Sequence, residues 1–113
     1  MNDASTAFID LPELQRRVGE RIAELTHNEA AFIASGAAAG ISVSVAACIA
    51  GTDARRIDAF PYLNGVERNE VIVWHSQRNG YDYAARQTGA RLVEIGPEEG
   101  ELEEAIGPHT ACI

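Results

Sequence analysis

"FIASGAAAGISVSVAACIAG", residues Phe32 to Gly51, constrains this chain more than any other stretch. It lies within an uncharged segment from Ala30 to Thr52, whose strongly apolar residues are Phe32, Ile33, Ile41, Val43, Val45 and Ile49. Most of the rest is Ala, Gly and Ser. A membrane span needs about 20 predominantly apolar residues, and small residues gain little from lipid. The segment reads instead as a short strand, "EAAFIAS", feeding a helix that starts at Gly36 and runs to about Ala50, with Gly51 ending it. Apolar or small residues all round that helix imply burial on most faces.

The flanking sequence fixes the class. In "DLPELQRRVGERIAELTHN", residues Leu11, Leu14, Val18, Ile22 and Leu25 fall on one helical stripe. Asp10 is placed to cap the first turn, with Glu13 as its capping-box partner. "TDARRIDAFPYLNGVERN" is the longest irregular stretch, and Asp53 can cap a single turn there. Then "EVIVW", "ARLVEIG" and "HTACI" read as strands, separated by the short helices of "GYDYAARQTG" and "EEGELEEAIG". Strands alternating with helices over short links predict an α/β fold: a mostly parallel sheet with helices on both faces, in three layers. The expected organisation is an amino-terminal segment and helix over residues 1–28, then a partial α/β domain over 29–113. Four strands without closing elements predict a piece of a longer protein. A self-sufficient flavodoxin-like domain is the alternative.

The net charge of −8 and pI of about 4.7 argue against nucleic-acid binding spread over the surface, but not against a local basic site. All nine basic residues are Arg; there is no Lys. Cys48 and Cys112 are far apart among apolar residues and read as buried, reduced, structural thiols. His27, His75 and His109 are scattered, so no metal site is expected. The first dozen residues lack the basic start and long apolar core of a secretory signal, which predicts a cytoplasmic protein.

Two stretches carry chemistry. At Ser35, Gly36 and Ala37 a strand gives way to a helix of small residues. The first N–H groups of a helix lack intrahelical partners and lie at the positive end of its dipole, which makes an anion or phosphate site. Neither GxGxxG nor GxxxxGK[ST] is present, and a ligand-free turn has the same pattern. His75 follows "EVIVW" directly, where ligands of open parallel sheets bind. It can stack on a planar ring, or serve as a hydrogen-bonded loop residue. Arg78 is a candidate for an anionic substrate.

Together "LPELQRRVGERIAELTHNEAAFIASGAAAGISVSVAACIAGTD", "NEVIVWHSQRNGYDYAARQTGARLVEIG" and "ELEEAIGPHTACI" resemble the amino-terminal part of a pyridoxal-phosphate enzyme of the aspartate-aminotransferase fold. The resemblance is to the selenocysteine synthase-like group, which includes L-seryl-tRNA selenium transferase and the D-glucosaminate-6-phosphate ammonia lyases. It implies that Ser35, Gly36 and Ala37 hold the cofactor phosphate and that His75 stacks on its pyridine ring. It implies a lyase or transferase acting on an amino-acid or amino-sugar-phosphate substrate, assembled as a homo-oligomer. The Lys that bonds the cofactor and the Asp facing the pyridine nitrogen would lie later in the chain, so these 113 residues alone are not expected to be catalytically competent. "His-Ser" at 75 and 76 is closer to cysteine-desulfurase-like relatives than to selenocysteine synthase, which points away from selenium transfer. A small non-catalytic module binding a phosphate or nucleotide is the second reading.

Overall fold

The structure, a computed structural model, describes residues 8–113; residues 1–7 of the amino-terminal segment lie outside the described residues. The chain divides into two compact units, Met1–Ser35 and Gly36–Ile113.

In the first unit, α1 spans Leu11–Thr26. Asp10 caps it, with Oδ1 accepting from the Glu13 N–H at 2.9 Å. The reciprocal half of the expected capping box is replaced, because the Glu13 carboxylate is taken by Arg16 and Arg17. The helix ends at His27, whose left-handed backbone (φ 57°) lets its N–H reach the Ala23 carbonyl. The expected strand over Glu29–Ser35 does not form. This segment has no ladder partner: the Ile33 carbonyl accepts from Gln15 Nε2 at 3.1 Å, and the Ala31 carbonyl lies where a side chain at Gly19 would be. Leu11, Leu14 and Val18 line an apolar groove with Phe32 and Ile33.

The second unit begins with α2 (Ala37–Ala50) and α3 (Ala54–Ala59), the latter capped by Asp53 accepting from the Arg55 N–H at 3.0 Å. Then come β1 (Glu70–Trp74), two 3-10 turns, α4 (Tyr83–Arg86), β2 (Arg91–Ile95), α5 (Glu101–Ala105) and β3 (Thr110–Cys112). The sheet is parallel, in the order β2-β1-β3. Pairing runs from Glu70 opposite Arg91 to Trp74 opposite Ile95, and the β1–β3 register shifts between Glu70 and Val71. The α/β class expected from the sequence is therefore observed, with three strands among the described residues rather than four.

Val45, Ile49, Leu63, Val71, Ala85, Ala90 and Ala111 form the core. It joins one side of α2 to β1, α4 and β3. This corrects the expectation for α2: only Val45, Ile49 and Ala50 are buried, while Ile41 and Val43 are exposed. A sheet of three short strands can cover one face of a 14-residue helix, not all of it. Cys48 is likewise exposed rather than buried. Burial, followed by the neighbouring Cys48, pushes the Cys112 thiol above its ordinary range. Among the described residues, no helix is long and apolar enough to cross a membrane.

Candidate functional site

The start of α2 is built from backbone alone. Gly36 stands at its N-cap with φ 156° and ψ 177°, and no side chain caps the helix. The first helical bond runs from the Gly40 N–H to the Gly36 carbonyl at 2.9 Å. The N–H groups of Ala37, Ala38 and Ala39 precede it, so they have no intrahelical acceptor. No acidic residue stands in this turn, and nothing among the described residues lies within 4 Å of where a Cβ would sit on Gly36 or Gly40. Ser35 belongs to the first unit.

The carboxyl end of β1 supplies the second group. β1 stops at Trp74 because His75–Gln77 turn into a 3-10 helix. A second 3-10 turn follows, Gly80–Asp82, with a capping box between Asn79 and Asp82. The His75 side chain is 81% exposed, and its Nδ1 lies 2.9 Å from Glu94 Oε2 on β2. Arg78 spans two carboxylates, meeting Asp82 through Nε and Glu94 through Nη1. The Arg78 guanidinium holds the Asp82 carboxyl below its ordinary range, and Asp82 in turn raises Arg78. A substrate anion at Arg78 would compete with both partners.

A cavity of about 230 Å³ lies between α2 and β1. Ile41, one turn on from Ala37, lines it together with Trp74 and Gln77, which bracket His75 and Ser76. The lining includes neither the 36–39 turn nor His75, so the cavity does not itself bring the two groups together. Sequence reading missed Glu94 and Asp82. The lone acid in "ARLVEIG" and the spacing of Arg78 to Asp82 were the available signals.

No family model matches the chain. It is 33% identical over 118 residues to D-glucosaminate-6-phosphate ammonia lyase of Salmonella typhimurium, covering 97% of this chain and 32% of that protein. A solved structure of D-glucosaminate-6-phosphate ammonia-lyase superposes with a TM-score of 0.89 at 33% identity, again over 97% of this chain and 32% of that one. The chain resembles the selenocysteine synthase-like pyridoxal-phosphate enzymes over part of their length. A 5'-C-glycyluridine monooxygenase-decarboxylase from Streptomyces sp is 36% identical over 101 residues, covering 85% of this chain and 25% of that protein. The chain thus spans about a quarter to a third of the length of the curated relatives it matches.

Pyridoxal phosphate can be tested against what these residues offer. Its phosphate needs several donors in open space, which the start of α2 has. Its ring needs an accessible planar side chain, which His75 has. Its aldehyde needs an amine, and the sequence contains no Lys. The residues present fit the phosphate end and one ring face.

Proposed function

We propose that this chain supplies the phosphate-binding turn and one ring-facing residue of a pyridoxal-phosphate-dependent lyase or transferase. The substrate class is an amino acid or an amino-sugar phosphate, and the remaining site residues belong to a longer protein. The observation that carries this reading is the uncapped, acid-free start of α2, within a chain matched over 97% of its length by D-glucosaminate-6-phosphate ammonia lyase.

In this reading the N–H groups of Ala37 to Ala39 bind the cofactor phosphate, and Gly36, with Ser35 before it, keeps the approach free of bulk. His75 would face the pyridine ring of the bound cofactor. When bound, the cofactor supplies an electron sink for bonds broken at the carbon beside the substrate amine. The amine that bonds the cofactor comes from outside these residues. We place the protein in the cytoplasm as a homo-oligomer, with the 53–69 loop and the amino-terminal segment as contacts between subunits. Light scattering of the full-length protein checks the assembly, and an active monomer would refute it.

The test of the site is an absorbance titration with pyridoxal phosphate, followed by borohydride reduction and peptide mapping. The expected result is saturable binding with no reduced adduct on any side chain of these 113 residues. An adduct on an internal residue, or no binding by the full-length protein, overturns the proposal. The absence of Lys also suits a second reading, a non-catalytic phosphate- or nucleotide-binding module. Equal affinity for inorganic phosphate and pyridoxal phosphate would favour it.

A further inference from the structure

The parallel register brings His75, Arg78, Asp82 and Glu94 together at the carboxyl ends of β1 and β2. Glu94 pairs in the ladder with Val73, two residues before His75. We propose that Glu94 is a positioning residue for His75, fixing which ring nitrogen carries the proton and how the ring stands. This rests on the reading of His75 as the residue facing the cofactor ring.

A carboxylate only accepts hydrogen bonds, so the neutral imidazole beside Glu94 Oε2 carries its proton on Nδ1. That leaves Nε2 as the bare acceptor. An isolated hydrogen bond would not fix so exposed a ring. Here the acceptor is itself held. Glu94 Oε1 takes Arg78 Nη1 while Oε2 takes the imidazole, so both oxygens have partners. Arg78 is anchored through Nε to Asp82, whose Oδ2 also accepts from the Asn79 backbone N–H at 3.3 Å. The chain of contacts thus runs from a capped turn to the imidazole. Arg78 is 29% exposed and Asp82 12%, so its inner end is the less mobile one.

The test is NMR of histidine-labelled full-length protein at about pH 8.5, two units above an ordinary imidazole. The His75 signal is assigned by its loss in His75→Asn. Ring chemical shifts should report the Nδ1–H form as the majority in the parent. Glu94→Ala should return the ring to the Nε2–H form, and Glu94→Gln, which keeps an acceptor oxygen, should retain part of the parent ratio. A parent ring already in the Nε2–H form, or a ratio unchanged in Glu94→Ala, overturns the proposal. Glu94→Thr serves as a second strand-compatible removal if the alanine variant folds poorly. The same proteins loaded with pyridoxal phosphate are read by visible circular dichroism. A changed cofactor band accompanying the tautomer change supports the whole proposal. A tautomer change with an unchanged band supports the Glu94 contact and overturns the reading of His75 as the ring's partner.

Discussion

Substituting Gly36 separates the backbone's need for glycine from a bound anion's need for an uncharged rim. At φ 156° and ψ 177° an L side chain is strained even though nothing among the described residues lies within 4 Å of the added Cβ. The strain costs about 1–3 kcal/mol, and reduced freedom of the unfolded chain returns about 0.4–1 kcal/mol. Gly36→Ala should therefore lose about 1–2 kcal/mol of stability by denaturant titration. A milder outcome would hold only if Gly36 were helical, and it is not. Gly36→Asp carries the same strain, but a carboxylate at an N-cap recovers about 0.5–2 kcal/mol relative to Ala. The Asp variant should thus be at least as stable as the Ala variant. Pyridoxal-phosphate affinity should rank them the other way. A unit negative charge about 5 Å from the phosphate, at an effective dielectric of about 20, costs about 3 kcal/mol. That is a loss of more than about a hundredfold, against less than about tenfold for the alanine variant. The two variants ranking alike in stability and in affinity, with Asp the better binder, would refute the phosphate-site reasoning.

Gly89→Ala should be among the most damaging substitutions. Gly89 has φ 86°, and a Cβ there would overlap the Pro61 carbonyl oxygen and approach Leu63 Cγ at 3.3 Å. A loss of about 3 kcal/mol or more is expected by denaturant titration, and an unchanged midpoint would show that the Pro61–Gly89 approach is not required. Acid should destabilise the fold. Asp82, held low by Arg78, and Asp53, held low by the Arg55 N–H, have folded-state pKa values below their unfolded ones. Their contributions are present above the ordinary carboxylate range, about pH 4, and are lost as pH falls through the depressed values. Asp82→Asn should flatten that acid limb of the stability profile, and an equally steep limb would remove Asp82 from the account.

The strands were legible because parallel strands buried on both faces read as continuous apolar runs, as in "EVIVW". The stop of α2 at Gly51 was legible for a local reason too, a glycine with φ 55°. Glu29–Ser35 misled because apolar composition permits an extended backbone but does not supply a neighbour to pair with. The setting of Arg78 was hidden differently. Asp82 is four residues away in sequence, but Glu94 is sixteen away and arrives only through the β1–β2 register. A sequence shows a cation; the fold shows that its charge has already been met.

That lesson extends to most of the cations here and narrows how an acidic chain can hold an anion. Arg16 and Arg17 share Glu13, and Arg21 meets Glu24. Arg55 and Arg56 flank Asp53, Arg78 lies between Asp82 and Glu94, and Arg91 meets Glu70. Arg68 donates to the Thr110 carbonyl at 2.8 Å, and the Arg86 guanidinium lies 6.0 Å from the Tyr83 ring centroid. Seven of the nine Arg thus meet a carboxylate, while Arg68 and Arg86 meet only neutral groups, and the proposed phosphate site at the start of α2 relies on backbone N–H groups rather than on any of them. Arg55 and Arg56 are the sharpest control. They follow the far end of a 14-residue helix, about 21 Å from its start, well beyond a screening length of about 8 Å at physiological salt. The double variant Arg55→Gln, Arg56→Gln should keep pyridoxal-phosphate affinity within about twofold. A loss of about tenfold or more in that variant, with its fold intact by circular dichroism, would mean that side-chain cations hold the phosphate and that the start of α2 does not.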